Sequence, residues 1–297
     1  MGETMSEATG IVGLGNAGLA VATALLKHGP VLGYDRSEER CRLAQEAGVT
    51  VVEALEDLDG RVSAVLLSLP KPEASLAVAG AIAAWSNAPE LVIETSTVTP
   101  DTAQKSAALL EAAGVGFVDA AIAGGVASMA AGDITFFLGG TDTNKAAAKP
   151  VLDRIASRIH DLGPVGAGMG TKVVNNGVMH AVMVVLIEAF AMSRKLDIPT
   201  DTLVEILNRE EGLLRPLIHR IGERMQDGNY EGGMSVSNAR KDSVLALETA
   251  QQLGVPLFAT LASHTPYEIA ESKAMGNQDY AALAKLWEDW CDISFGR

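Results

Sequence analysis

The sequence predicts an α/β protein, with a doubly wound parallel sheet in its first half and an all-α second half joined to it by one long helix. From Gly10 to about Gly163, short apolar runs rich in β-branched residues alternate with Ala/Leu-rich amphipathic stretches, the pattern of βα units around a parallel sheet. After Gly168 the β signal stops. From about Met169 to Lys195 an apolar stretch with many small residues, bounded by Pro199, reads as one buried interdomain helix of roughly seven turns. The expected organisation is a disordered tail over residues 1–9, a dinucleotide-binding domain over 10–166 and a helical domain over 167–297.

Strands are expected at Ile11–Gly13, Val31–Tyr34, Val62–Leu69, Leu91–Glu94, Val115–Asp119 and Ile134–Leu138. Thr99-Pro100 reads as N-cap and first helical position, and Gly114 as the stop of that helix. In the second half, Thr200–Arg209, Val236–Leu253, Phe258–Met275 and Tyr280–Asp292 carry helical spacing, punctuated by Gly254-Val255-Pro256 and Gly276-Asn277.

Composition narrows the function classes. A content of 48% hydrophobic and 20% charged residues is that of a soluble globular chain with a sizeable core. No uninterrupted apolar run reaches the roughly 18 residues of a bilayer span, and the N-terminus lacks a secretory pattern, so a cytoplasmic protein is expected. Met1-Gly2-Glu3-Thr4-Met5-Ser6 fits a short myristoylation pattern, but nothing basic follows it and it is read as tail. The net charge of −14 repels nucleic-acid phosphates and anionic lipid, so neither is an expected partner. Cys41 and Cys291 are far apart, without a Cys/His cluster, so reduced thiols and no metal are expected.

Gly13-Leu14-Gly15-Asn16-Ala17-Gly18 fits GxGxxG between a strand and the helix Leu19–His28. Gly13 permits the turn, Gly15 lets backbone approach a pyrophosphate, and Gly18 allows close helix packing. Asp35 follows 17 residues after Gly18 at the end of the next strand, where a carboxylate can bind a ribose 2′-OH. This favours NAD, while Arg36 beside it keeps NADP open. Leu69-Pro70 and Thr95-Ser96-Thr97 each follow a strand, at the edge where ligands of open sheets sit. Lys172 and Asn176 then stand four residues apart in the long helix, so an ammonium and a carboxamide can converge on one hydroxyl, a proton-transfer site in outline.

Taken together, Gly13–Gly18, Leu69-Pro70, Ser96-Thr97, Asp119-Ala120-Ala121-Ile122-Ala123-Gly124-Gly125, Gly168–Asn176 and Lys241-Asp242 resemble, in order and spacing, the β-hydroxyacid dehydrogenases. That family includes the 3-hydroxyisobutyrate dehydrogenases and tartronate semialdehyde reductases and is related to 6-phosphogluconate dehydrogenase. The resemblance covers nearly the whole chain. It implies a Rossmann domain, a long connecting helix, a helical C-terminal domain, and a homodimer or homotetramer. The implied activity is NAD(P)-dependent oxidation of a small 3-hydroxy acid to its semialdehyde. It also implies that Lys172 is the catalytic lysine, that Asn176 bonds the reacting hydroxyl, that Thr97 lies near the nicotinamide ribose, and that Lys241 closes over the cofactor.

The departure from the family lies in the substrate loop, where Ala121 replaces the usual proline and Ala123 the serine that holds the substrate carboxylate. Gly124 and Gly125 still offer backbone N–H groups, and Ser128 is a candidate replacement donor. Two alternatives follow: a reductase of a neutral carbonyl or imine, favoured by Ala123, and a non-catalytic NAD(H)-binding sensor. His180, one turn past Asn176, continues that face or packs; Trp287 and Trp290 read as core or a subunit contact.

Overall fold

The computed structural model describes residues 8–209 and 212–296, and the chain divides into two compact units, Met1–Gly177 and Val178–Arg297. The first contains β1 (Ala8–Val12), α1 (Asn16–Leu26), β2 (Val31–Tyr34), α2 (Glu38–Glu46), β3 (Thr50–Val51) and β4 (Val62–Leu67). It continues through α3 (Pro72–Ala83), β5 (Leu91–Glu94), α4 (Pro100–Ala112), β6 (Gly116–Ala123), α5 (Val126–Ala131), β7 (Ile134–Gly140), α6 (Asp142–Leu152) and β8 (Ala156–Asp161). The start of α7 (Ala167–Lys195) completes it.

The sheet order is β3-β2-β1-β4-β5-β6-β7-β8. Strands β1 to β6 pair in parallel, β7 runs antiparallel to β6, and β8 is parallel to β7. The chain therefore winds outward from β1 in one direction and from β4 in the other. The carboxyl ends of β1 and β4 form the switch point where a doubly wound sheet receives its ligand. Helices cover both faces: Leu66 and Ile93 are buried in one core with Val21 and Leu25 of α1. Val65, Leu67 and Val92, the alternate residues, are buried in the other with Ile82 of α3 and Leu110 of α4. Burial on both faces is why these strands read as continuous apolar runs.

The predicted α/β class is what the chain adopts, with differences at the element ends. Residues 1–7 of the expected tail lie outside the described residues, whereas Ala8 and Thr9 belong to β1, paired with Val62 and Val31. Gly13 falls out of the strand into the turn. Strand β6 runs on to Ala123, because β7 supplies antiparallel partners as far as Thr135. Two strands escaped the sequence reading, the two-residue β3 and β8, whose Ala-Ser-Arg-Ile-His-Asp is an edge strand without buried residues.

In the second unit come the rest of α7, α8 (Thr200–Asn208), a π-helical segment Pro216–Met225, α9 (Val236–Leu253), α10 (Phe258–Ser272), a 3-10 turn Tyr280–Leu283 and α11 (Ala284–Cys291). Its cores are small, one around Val236, Ala270, Met275 and Leu286, another around Ala250, Val255 and Leu257. Glu188 of α7 caps α10: its carboxylate accepts from Ala259 N at 2.7 Å, Thr260 N at 3.1 Å and Thr260 Oγ1 at 2.8 Å.

The expectation that the long helix is buried is corrected. Along α7, Val174 is 69% exposed, Met183 57% and Ile187 55%. An 18-residue window of it has a mean hydropathy of 1.6, enough by length and composition to cross a membrane. Asn175, Asn176, His180 and Glu188 interrupt the apolar residues of this helix, so the sequence holds no uninterrupted run of that length although the helix is apolar on average.

Candidate active site

At the switch point a cleft of about 520 Å³ opens over the end of β1. Gly13 has φ +95°, and a Cβ there would lie 2.2 Å from Ser68 O; a Cβ on Gly18 would lie 1.9 Å from Gly13 O. Those two glycines are demanded by the chain's own packing. Gly15 is different, since a Cβ there meets nothing within 4 Å, so its bareness serves what enters the cleft. Gly15 N-caps α1 with no side chain bonded to the helix end, which leaves first-turn amides for an anion.

Asp35 closes the other end. Its Oδ2 accepts from Leu14 N at 2.7 Å and its Oδ1 from Ser37 N at 2.8 Å, which fixes the half-buried carboxylate beside the glycine loop with lone pairs to spare. Arg40 of α2 donates to Asn16 Oδ1 at 3.0 Å, and Arg36 is exposed at the rim. Leu69 and Pro70, with Ala74, Ala77 and Val78 of α3, form an apolar wall. The glycine cradle, the open helix N-terminus, the strand-end acid and the apolar wall together fit a dinucleotide.

The second group of residues sits where α7 begins. Asp119 of β6 is fully buried; its Oδ1 accepts from Gly166 N and its Oδ2 from Met169 N, each at 2.8 Å. A sheet carboxylate thus serves as the N-cap of α7. Burial pushes that carboxyl above its ordinary pKa against the pull of those amides. Gly168 packs so closely that a Cβ would lie 2.3 Å from Phe137 O, and a Cβ on Gly170 would lie 3.6 Å from Pro100 at the start of α4. One turn on, Lys172, Asn175 and Asn176 are half-buried while Val173 and Val174 are exposed. Lys172 makes no ion pair or hydrogen bond among the described residues, and burial lowers its pKa. Asn175 Nδ2 lies 3.4 Å from Asn176 Oδ1.

Residues 8–166 match the family model described as the NAD binding domain of 6-phosphogluconate dehydrogenase, and residues 166–287 that described as NAD-binding of NADP-dependent 3-hydroxyisobutyrate dehydrogenase. The chain belongs to the β-hydroxyacid dehydrogenase family. This β-hydroxyacid dehydrogenase is an NAD(P)-dependent oxidoreductase. It is 27% identical over 289 residues to 2-(hydroxymethyl)glutarate dehydrogenase of Eubacterium barkeri, covering 96% of each chain. Among solved structures it resembles Mycobacterium tuberculosis 3-hydroxyisobutyrate dehydrogenase with L-serine, at 25% identity and TM-score 0.64, over 95% of this chain and 99% of that one. An imine reductase from Pseudomonas sp. shares the fold at TM-score 0.86 and 18% identity, over 94% and 98% of the two chains.

In the dehydrogenase, Gly13, Gly15, Asn16, Ala17, Gly18, Asp35, Arg36, Leu69 and Pro70 line the one cleft. Leu14 does not; its side chain is wholly in the core and only its amide takes part, bound to Asp35. Thr97 is exposed beyond β5 and outside the cleft lining. Ala123 ends β6 half-buried, and Gly124 (φ +150°) and Gly125 are exposed beyond it. The Ser128 Cβ lies 4.0 Å from where a Gly124 Cβ would stand, so a hydroxyl-bearing residue does neighbour the loop. Lys241 lies on α9 of the second unit with its ammonium 3.3 Å from Asp242. His180 is exposed.

Sequence reasoning missed the α3 wall, Arg40, and the capping role of Asp119. The apolar first turns of α3 were a signal available for the first; the capping role was hidden, since Asp119 and its amides are 47 and 50 residues apart.

Proposed function

We propose that the enzyme reversibly oxidises a small 3-hydroxy acid to its semialdehyde, with Lys172 as general base in that direction and general acid in the other. The observation that carries this is Lys172 itself, half-buried with no counterion among the described residues, its pKa lowered by burial, one turn past the helix start that Asp119 anchors. A lysine so placed is suited to proton transfer rather than to a structural ion pair. The bound nicotinamide cofactor supplies the hydride acceptor. Lys172 takes the proton of the carbinol hydroxyl, which Asn176 holds by a hydrogen bond. The amides at Gly15 and the α1 N-terminus receive the pyrophosphate, and Asp35 the ribose hydroxyls, which favours NAD over NADP. Thr97 and Lys241 join the cofactor set through their match to the family motifs.

The compounds in the relatives' names, 2-(hydroxymethyl)glutarate, 3-hydroxyisobutyrate and L-serine, share one frame: a primary alcohol on the carbon next to the one bearing the carboxylate. We assign a substrate of that frame, held by Gly124 and Gly125 with Ser128 in place of the absent serine at Ala123. A homodimer or homotetramer is supported by the exposed apolar face of α7, and a cytoplasmic site by the free thiols Cys41 and Cys291. The alternative, reduction of a neutral carbonyl or imine, is favoured by Ala123 alone.

The test is NADH or NADPH formation, read by absorbance, across short 3-hydroxy acids, sugar acids and neutral alcohols, with Lys172→Ala alongside. Turnover of hydroxy acids lost in the variant supports the reading; turnover confined to neutral compounds transfers it to the alternative.

A further inference from the structure

Glu94, the last residue of β5, is 1% exposed and stands in register between Leu67 of β4 and Asp119 of β6. Its Oε1 accepts from Ser96 N at 2.8 Å, while its Oε2 is buried with no partner. The hydroxyl of Ser75 on α3 lies 3.4 Å from that of Ser96. Ser96 Oγ in turn accepts from Leu69 N at 2.7 Å. The chain of bonds therefore runs from a buried acid to the backbone of a residue that walls the cofactor cleft.

When Glu94 is ionised, its Oε1 takes the Ser96 N–H in a charge-assisted bond that pins Ser96, whose Oγ holds Leu69 N–H. When Glu94 is protonated that bond loses its charge assistance, and the hold on Ser96 and through it on Leu69 loosens. We propose that Glu94 is a positioning residue for the cofactor, holding the Leu69-Pro70 edge through Ser96 more firmly when ionised than when neutral. The proposal rests on the cleft's being the cofactor site. Burial raises the pKa of Glu94 to about 7, so both states are populated near neutrality. Asp119 is the titratable group that faces it, from β6, and opposes its ionisation; α3 offers the uncharged Ser75 and β4 offers Leu67.

The experiment is fluorescence titration of the full chain with NADH at pH values on both sides of neutrality, for wild type, Glu94→Gln, Ser96→Ala and Asp35→Ala. Wild-type Kd should rise about three- to ten-fold as pH falls through neutrality, the worth of one hydrogen bond. Glu94→Gln, which mimics the protonated acid, should bind weakly and without that step at every pH. Ser96→Ala, which leaves the acid in place but cuts its link to Leu69, should do the same and serves if the first variant does not fold. Wild-type Kd and pH step retained in either variant, or a flat wild-type profile, overturns the role of Glu94. If Asp35→Ala leaves binding unchanged, the cleft assignment falls, and Glu94 with it.

Discussion

At Lys172 the physical argument turns on what is missing around one ammonium. Burial, with no counterion among the described residues, lowers its pKa, so the neutral base is available below the ordinary lysine range. Oxidation should therefore rise with pH and level off at that lowered pKa, while reduction falls through it. Lys172→Ala should lower kcat by roughly a hundred- to ten-thousand-fold in both directions with NADH Kd almost unchanged; a pH–rate comparison with NADH titration checks both. Lys172→Arg should not rescue, since a guanidinium does not deprotonate. Ala123→Ser, which restores a donor beside Gly124, should raise kcat/KM for small hydroxy acids by several-fold, measured by the same assay. Glu94 makes an opposite demand on the fold. Its pKa is raised, so its contribution to stability is complete at acid pH and is lost as pH rises through about 7. Glu94→Gln should then melt higher than wild type at alkaline pH, by up to about 3 kcal/mol, even as it weakens NADH. At this scale the placing of Lys172 and Asn176 one turn apart on a single helix was legible from their spacing of four residues. Glu94 and Asp119 were not: the amides that bind Asp119 lie 47 and 50 residues on, and the link from Glu94 through Ser96 reaches Leu69 across 27 residues, so a strand-end acid in a sequence gives no hint of either.

Among elements, the glycine loop separates two requirements that the motif merges. Gly18→Ala would push a Cβ against Gly13 O and should destabilise the fold by about 1–3 kcal/mol. Gly15→Ala, whose Cβ meets no atom within 4 Å, should leave the melting temperature nearly unchanged while weakening NADH binding. Thermal melts paired with NADH titration separate the two; equal loss of stability would contradict the assignment. The strands that the sequence made legible are those buried on both faces, and the caps at Thr99 and Pro100 were read correctly because side chain and backbone signals coincide there. Strand β8 was illegible for the converse reason, since an edge strand with no buried residue carries no apolar pattern. The burial of α7 was misjudged because an apolar sequence states only that a helix wants cover, not that its own chain supplies it.

For the whole molecule, that uncovered face is the main prediction. Val178, Met179 and Met183 of α7 are each more than half exposed, and in the proposed oligomer this apolar area is what a second copy would cover. Light scattering should give a mass that is a multiple of 30.9 kDa, and Met183→Asp should shift the protein toward the single-chain mass; a wild-type monomer at working concentration would contradict this. The division of the chain also bears on how such an enzyme diversifies. Lys172 and Asn176 lie in the unit Met1–Gly177, together with the glycine loop and Asp35. On the proposed roles, recombination that exchanged the later unit for another would carry the proton-transfer pair along with the nucleotide cleft, so chemistry would be inherited as one block while the rest of the chain remained free to vary.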